Sequence, residues 1–136
     1  MSFPGTSASL LANLTLIVQI AAFTILLFGV MHAKKKEFLI HFKTADLTVI
    51  FGFLAFLWMS SRFVTNFRPI ILHMTSWESL LAITHVVAGL LALSGGLAFA
   101  LNRFIKKTSI PMRVVFLAWT IALLLGIALY GTYYLS

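Results

Sequence analysis

Apolar residues gather along this chain into four long blocks, at about 10–31, 38–61, 79–102 and 111–135, separated by polar stretches. Crossing a hydrocarbon core of roughly 30 Å as a helix takes about 20 residues. The first, third and fourth blocks meet that length easily. In the second, only residues 47–61 are free of charge, so His41, Lys43 and Asp46 are expected at or just inside one interface. Strict apolar–polar alternation is absent, which argues against a transmembrane barrel. The pattern therefore predicts an all-α fold: an integral membrane four-helix bundle forming a single transmembrane domain over residues 1–136. No Lys or Arg precedes Lys34, and the first block is too long for a signal-peptide core. It reads as a retained helix.

The connections refine this picture. Residues 32–37 and 102–110 are short, so helices one and two, and three and four, are expected as antiparallel up–down hairpins. The stretch 62–77 reads as the longest loop, with an apolar segment from Pro69 suited to lie on the membrane. Thr75 and Glu78 have capping-box spacing before the third helix. Thr108, Ser109 and Pro111 supply a cap and an early proline for the fourth. No second domain, linker, low-complexity tract or internal repeat stands out.

Composition agrees with a bilayer as the main partner. The chain is 61% hydrophobic and only 10% charged, whereas a soluble domain carries about 25% charged residues. Ten Lys and Arg against three Asp and Glu give +7. That excess would suit nucleic acid, but its placement says otherwise. Lys34, Lys35, Lys36 and Lys43 fall in or beside one hairpin, Arg103, Lys106, Lys107 and Arg113 in the other, and Arg62 and Arg68 in the middle loop. By the positive-inside rule the two hairpins are cytoplasmic and both termini lie outside a cell membrane, with no nucleic-acid partner. Trp58, Trp77, Tyr130, Tyr133 and Tyr134 then fall at outer helix ends and Trp119 nearer the inner end. Cysteine is absent, which excludes disulfides, thiolate metal sites and a Cys nucleophile. Neither a phosphate loop, a Ser-His-Asp set nor paired carboxylates occur, so no catalytic activity of its own is expected.

His85 is the sharpest candidate, because it lies about two turns inside the third block, where an ionisable group is costly and faces the bundle interior. Its helical face continues through Ala88, Ala92, Gly96 and Ala100, and the fourth helix offers Ala118, Ala122 and Gly126. Such strips let helices approach closely, and they also leave room for a flat cofactor such as haem. His85 is thus either a packing residue hydrogen-bonded to a neighbour such as Gln19 or a tyrosine, or a haem or metal ligand. His41 is the second cofactor candidate, at the cytoplasmic edge, where it would serve a metal, a proton or a porphyrin propionate. Beside it Lys43 and Asp46, three apart, have the spacing of an ion pair on one helix face. His32 and His73 complete two histidines near each membrane face, the arrangement of a two-haem cytochrome. No second histidine, however, lies at the depth of His85. Asn13, Thr15, Gln19 and Thr24 are expected to make interhelical hydrogen bonds. The methionines are too scattered for a copper site.

The segments "KKKEFLIHFKTADL" with His41, "LLAITHVVAGLLAL" with His85, and "IPMRVVFLAWTIALLLGIALYGTYYL" with Pro111, Trp119, Gly126 and Tyr130 resemble the CtaM/YozB-like family of small four-helix membrane proteins. The resemblance spans roughly residues 10–135. It implies a role in maturation of a haem–copper cytochrome oxidase, as an assembly factor or an associated subunit among other membrane subunits. The alternatives are a non-catalytic accessory subunit of another membrane oxidase or monooxygenase, or a small b-type cytochrome. One departure stands out: the family tends to carry a further histidine before the last helix, where this chain has residues 104–110 without one.

Overall fold

The computed structural model describes residues 9–72, 75–101 and 109–135, with the side chains of residues 66, 67, 69–71 and 109 left aside. His73, Arg103, Lys106, Lys107 and the expected cap Thr108 lie outside the described residues. Four helices make up the described fold: α1 (Leu10–Lys34), α2 (Phe38–Leu72), α3 (Trp77–Ala100) and α4 (Ser109–Tyr134). All four are long and apolar enough to cross a membrane.

Local chemistry sets the ends of these helices. Ser9 caps α1, its hydroxyl accepting the Ala12 N–H at 3.3 Å. At the other end the chain leaves α1 through a Schellman turn: the Lys36 N–H bonds the Ala33 carbonyl and the Glu37 N–H bonds the His32 carbonyl, both at 3.0 Å. That geometry puts Lys36 at φ 64°, the left-handed region that glycine ordinarily fills. The His32 ring pairs with the Glu37 carboxylate across the same turn.

α2 departs from expectation at its far end. The chain stays helical through Arg62 and Pro69 to Leu72, where the pattern suggested a loop from residue 62. Hydropathy reports where lipid suits the side chains; it does not report where the backbone stops hydrogen-bonding. Phe38–Thr65 of this helix has the length and composition of a span. Beyond the apolar part, Ser60, Ser61 and Thr65 direct their hydroxyls to the carbonyls of Leu57, Trp58 and Arg62. The Arg62 guanidinium lies over the Trp58 ring at 5.4 Å, one turn back.

The cap of α3 also moves. Ser76, not Thr75, has the extended backbone of a cap, and its hydroxyl accepts the Ser79 N–H at 3.2 Å. Glu78 therefore occupies the second position of the first turn. There its charge faces the positive end of the helix dipole instead of closing a capping box.

α1 packs most extensively on α2, and α3 on α4, while α2–α3 and α1–α4 contacts close the ring into a four-helix bundle. The interior is rich in small residues: Ala22, Ala55, Ala82, Ala88, Ala92 and Ala122 are buried beside Leu26, Val49 and Leu81, whereas many larger apolar side chains on all four helices are exposed. In water this arrangement would be unstable; in lipid, whose tails are as apolar as leucine, small residues inside allow close helix approach. Gly29 shows how close. A Cβ there would fall 2.1 Å from the Thr44 hydroxyl oxygen, so α1 and α2 can cross at this point only without one. Nearby, the buried Thr48 hydroxyl lies 3.2 Å from the Ala22 carbonyl on α1 and 2.9 Å from the Thr44 carbonyl on its own helix.

Candidate functional site

His85 is 7% exposed, on the inner face of α3. Its Nδ1 lies 2.9 Å from the Ala122 carbonyl of α4, so its partner is neither Gln19 nor a tyrosine. A carbonyl only accepts, so Nδ1 carries a proton, and in the neutral form of the ring the lone pair is on Nε2. That Nε2 makes no hydrogen bond, and no buried side-chain nitrogen or oxygen among the described residues lacks a partner. The atom must therefore be open to the space that the ring lines.

Gly126 seats the ring. A Cβ at this position would approach His85 Cε1 to 3.0 Å and Gln19 Oε1 to 3.2 Å, so the glycine lets α1, α3 and α4 bring an imidazole and an amide together. The Gln19 amide nitrogen donates to the Met59 thioether of α2 at 2.9 Å. One turn and a half earlier on α1, Asn13 is 2% exposed and accepts the Tyr130 hydroxyl of α4. Asn13 and Gln19 thus serve different neighbours, as interhelical bonding requires. Thr15 and Thr24, expected to do the same, instead donate to Leu11 and Ile20 carbonyls of α1 itself.

The space beside His85 is a cavity of about 1040 Å³. Ala82, Gly89, Ala92 and Gly126 recede from it, and Phe23 and Phe56 are among its aromatic walls. Ligand pockets in proteins commonly measure roughly 300–1,000 Å³, mostly apolar with a few convergent polar groups. The size and lining fit that description.

His41 repeats the arrangement on the other hairpin. It is 8% exposed, and its Nδ1 lies 3.1 Å from the Gly29 carbonyl of α1. It lines a second cavity of about 500 Å³ together with Asp46, Thr48, Arg113 and Trp119. Lys43 and Asp46 do not pair. Both are exposed, and an exposed pair with the cation N-terminal to the acid gains little on a helix.

The small-residue strips divide by position. Ala88, Ala92, Gly96 and Ala122 are buried, Ala118 and Gly126 half-buried, and Ala100 exposed. Gly96 packs against Val49 of α2 and the Trp119 ring, which lies between the two cavities. Ligating histidines commonly donate one ring N–H to a carbonyl and coordinate through the other nitrogen. By that standard either imidazole could hold a metal or haem iron through its other nitrogen. His85 and His41 line separate cavities, so they do not form a bis-histidine pair, and no group of three His, Asp or Glu side chains forms a metal cluster among the described residues.

Composition and spacing gave no hint of the Gly29 and Ala122 carbonyls or of the Met59 thioether. A helical carbonyl carries no sequence signal as a partner, and methionine is ordinary in an apolar run. Compared with known proteins, the chain matches no family model, no curated protein and no solved structure.

Proposed function

We propose that this chain is an up–down four-span membrane protein that serves as an assembly factor or associated subunit of a respiratory complex of the haem–copper oxidase type. One observation carries the reading. The two histidines that fall on the motifs resembling the CtaM/YozB-like family, His41 and His85, are the two buried among the described residues, each held by a carbonyl of a neighbouring helix. A buried imidazole oriented from one side, with the other nitrogen open, suits the holding and release of a group destined for another subunit. The exposed apolar faces of all four helices leave ample surface for lipid and for partner helices.

Antiparallel hairpins are supported by the order of contacts. Ala22 meets Thr48 while Gly29 meets His41, and His85 meets Ala122 while Gly95 meets Val115. The basic residues assign the connections between α1 and α2 and between α3 and α4 to the cytoplasm, with both termini outside. Labelling intact cells with a membrane-impermeant thiol reagent tests this: Cys placed at Ser2 or Ser136 should react and Cys at Lys35 should not.

The role itself is tested by deletion in the native host. Active oxidase should fall while oxidase polypeptides persist, and mild-detergent extracts should show the chain in one large complex. Unchanged oxidase activity together with migration as a free 15.1 kDa protein would overturn the proposal.

A further inference from the structure

The geometry points to the larger cavity as a binding site for a lipid-soluble aromatic alcohol of the hydroquinone class, its hydroxyl hydrogens received by His85 Nε2 and Gln19 Oε1. The inference does not depend on the oxidase role. It begins with the polarity of the two groups that meet at Gly126. Because Nδ1 of His85 donates its N–H to the Ala122 carbonyl, the nitrogen left open is an acceptor in the neutral ring. Because a thioether can only accept, the Gln19 amide turns its NH2 to Met59, and the oxygen left beside the imidazole is also an acceptor. Neither atom has a protein donor. The site therefore presents two acceptors in a mostly apolar space whose wall also carries Arg62, Glu78 and Tyr130, and an occupant satisfies them by bringing donors.

Shape narrows the class. Gly89, Ala92 and Gly126 leave a recess bounded by aromatic side chains such as Phe23 and Phe56, which suits the face of a flat ring. About 1040 Å³ accommodates a substituted ring with part of an alkyl tail. A hydroquinone offers two O–H donors on such a ring. Its oxidised quinone has the same outline but only carbonyl acceptors, which would oppose the two acceptors of the site. A haem iron would use the imidazole and leave the Gln19 oxygen without a donor.

The discriminating experiment compares the two oxidation states on the full chain in mild detergent. Decylubiquinol, kept reduced under anaerobic conditions, and decylubiquinone are titrated by calorimetry. The expected result is saturable binding of the quinol at one per chain, about tenfold tighter than the quinone, as the loss of a buried hydrogen bond predicts. His85→Phe and Gln19→Leu, with helix content checked by circular dichroism, should each reduce that preference. The wild-type comparison alone decides the matter if a variant fails to fold. Equal affinity for both forms, meaning simple partition into apolar space, would overturn the proposal. So would no saturable binding of either form, a preference that persists in both variants, or stoichiometric haem ligated by His85.

Discussion

His41 and His85 make the same hydrogen bond in two different settings. Each reaches from its own helix to a carbonyl of the hairpin partner, His41 to Gly29 and His85 to Ala122. Around His41 the helices are pressed together: Thr44 occupies the place a Gly29 Cβ would need, and the adjoining cavity of about 500 Å³ carries Asp46 and Arg113 on its wall. Around His85 the cavity is twice as large, and a Gly126 Cβ would come no closer than 3.0 Å to a neighbour. The positions that meet them on α1, Gly29 and Gln19, are separated by about 15 Å along a helix. One imidazole thus sits at a close helix crossing beside the smaller cavity, and the other lines the larger one. The hydrogen bond is common to both; the size of the residues opposite decides which role follows.

The largest expected effect tests the closed crossing. Gly29→Val should destabilise the folded state in detergent by about 3 kcal/mol, since the added side chain must displace Thr44 and part the helices. Gly126→Ala should stay within about 1 kcal/mol of wild type, because slight crowding of His85 and Gln19 is offset by alanine's better helix propensity. Equal losses in thermal unfolding would erase the distinction between the two regions.

Removing the Tyr130 hydroxyl probes the neighbourhood of His85 next. Tyr130→Phe leaves the buried Asn13 oxygen without its donor and should cost about 1 kcal/mol in the same assay. The two histidine bonds themselves should prove nearly equal. His41→Leu and His85→Leu should each lose about 0.6 kcal/mol from the hydrogen bond, the mean for such bonds between membrane helices. A much larger loss at either site would mean that its ring carries further interactions.

The smallest effect has the opposite sign and is confined to the His41 hairpin. Lys36→Gly relieves the left-handed backbone but adds unfolded-state freedom, for a net gain of about 0.5 kcal/mol. Hydrogen exchange should show added protection near the turn after α1, with amides around His85 unchanged.

Much of the architecture was legible because a membrane span is a one-dimensional property. The four helices and the burial of His85 follow from the cost of placing polar groups in hydrocarbon, which any contiguous run of residues reveals. Where hydropathy and helix hydrogen bonding part company, that legibility ended: α2 carries on through Pro69 to Leu72 although the uncharged run stops at Ser61. The α3 cap slipped from Thr75 to Ser76 for a similar reason, since neighbouring hydroxyl residues compete for the role and only backbone angles choose between them.

For the candidate site the division is sharper. Sequence alone placed an imidazole and a strip of small residues on one face of α3 and set matching small residues on α4. It left open what His85 bonds to, because a backbone carbonyl is offered by every residue, and which one comes within reach depends on helix rotation and crossing. Tertiary structure alone settled that the Ala122 carbonyl accepts from His85, that the Met59 thioether accepts from Gln19, and that the imidazole and the Gln19 oxygen come together beside Gly126. The order of apolar and polar residues decides which segments enter the bilayer; the packing of helix against helix decides which polar atoms are left open to a ligand.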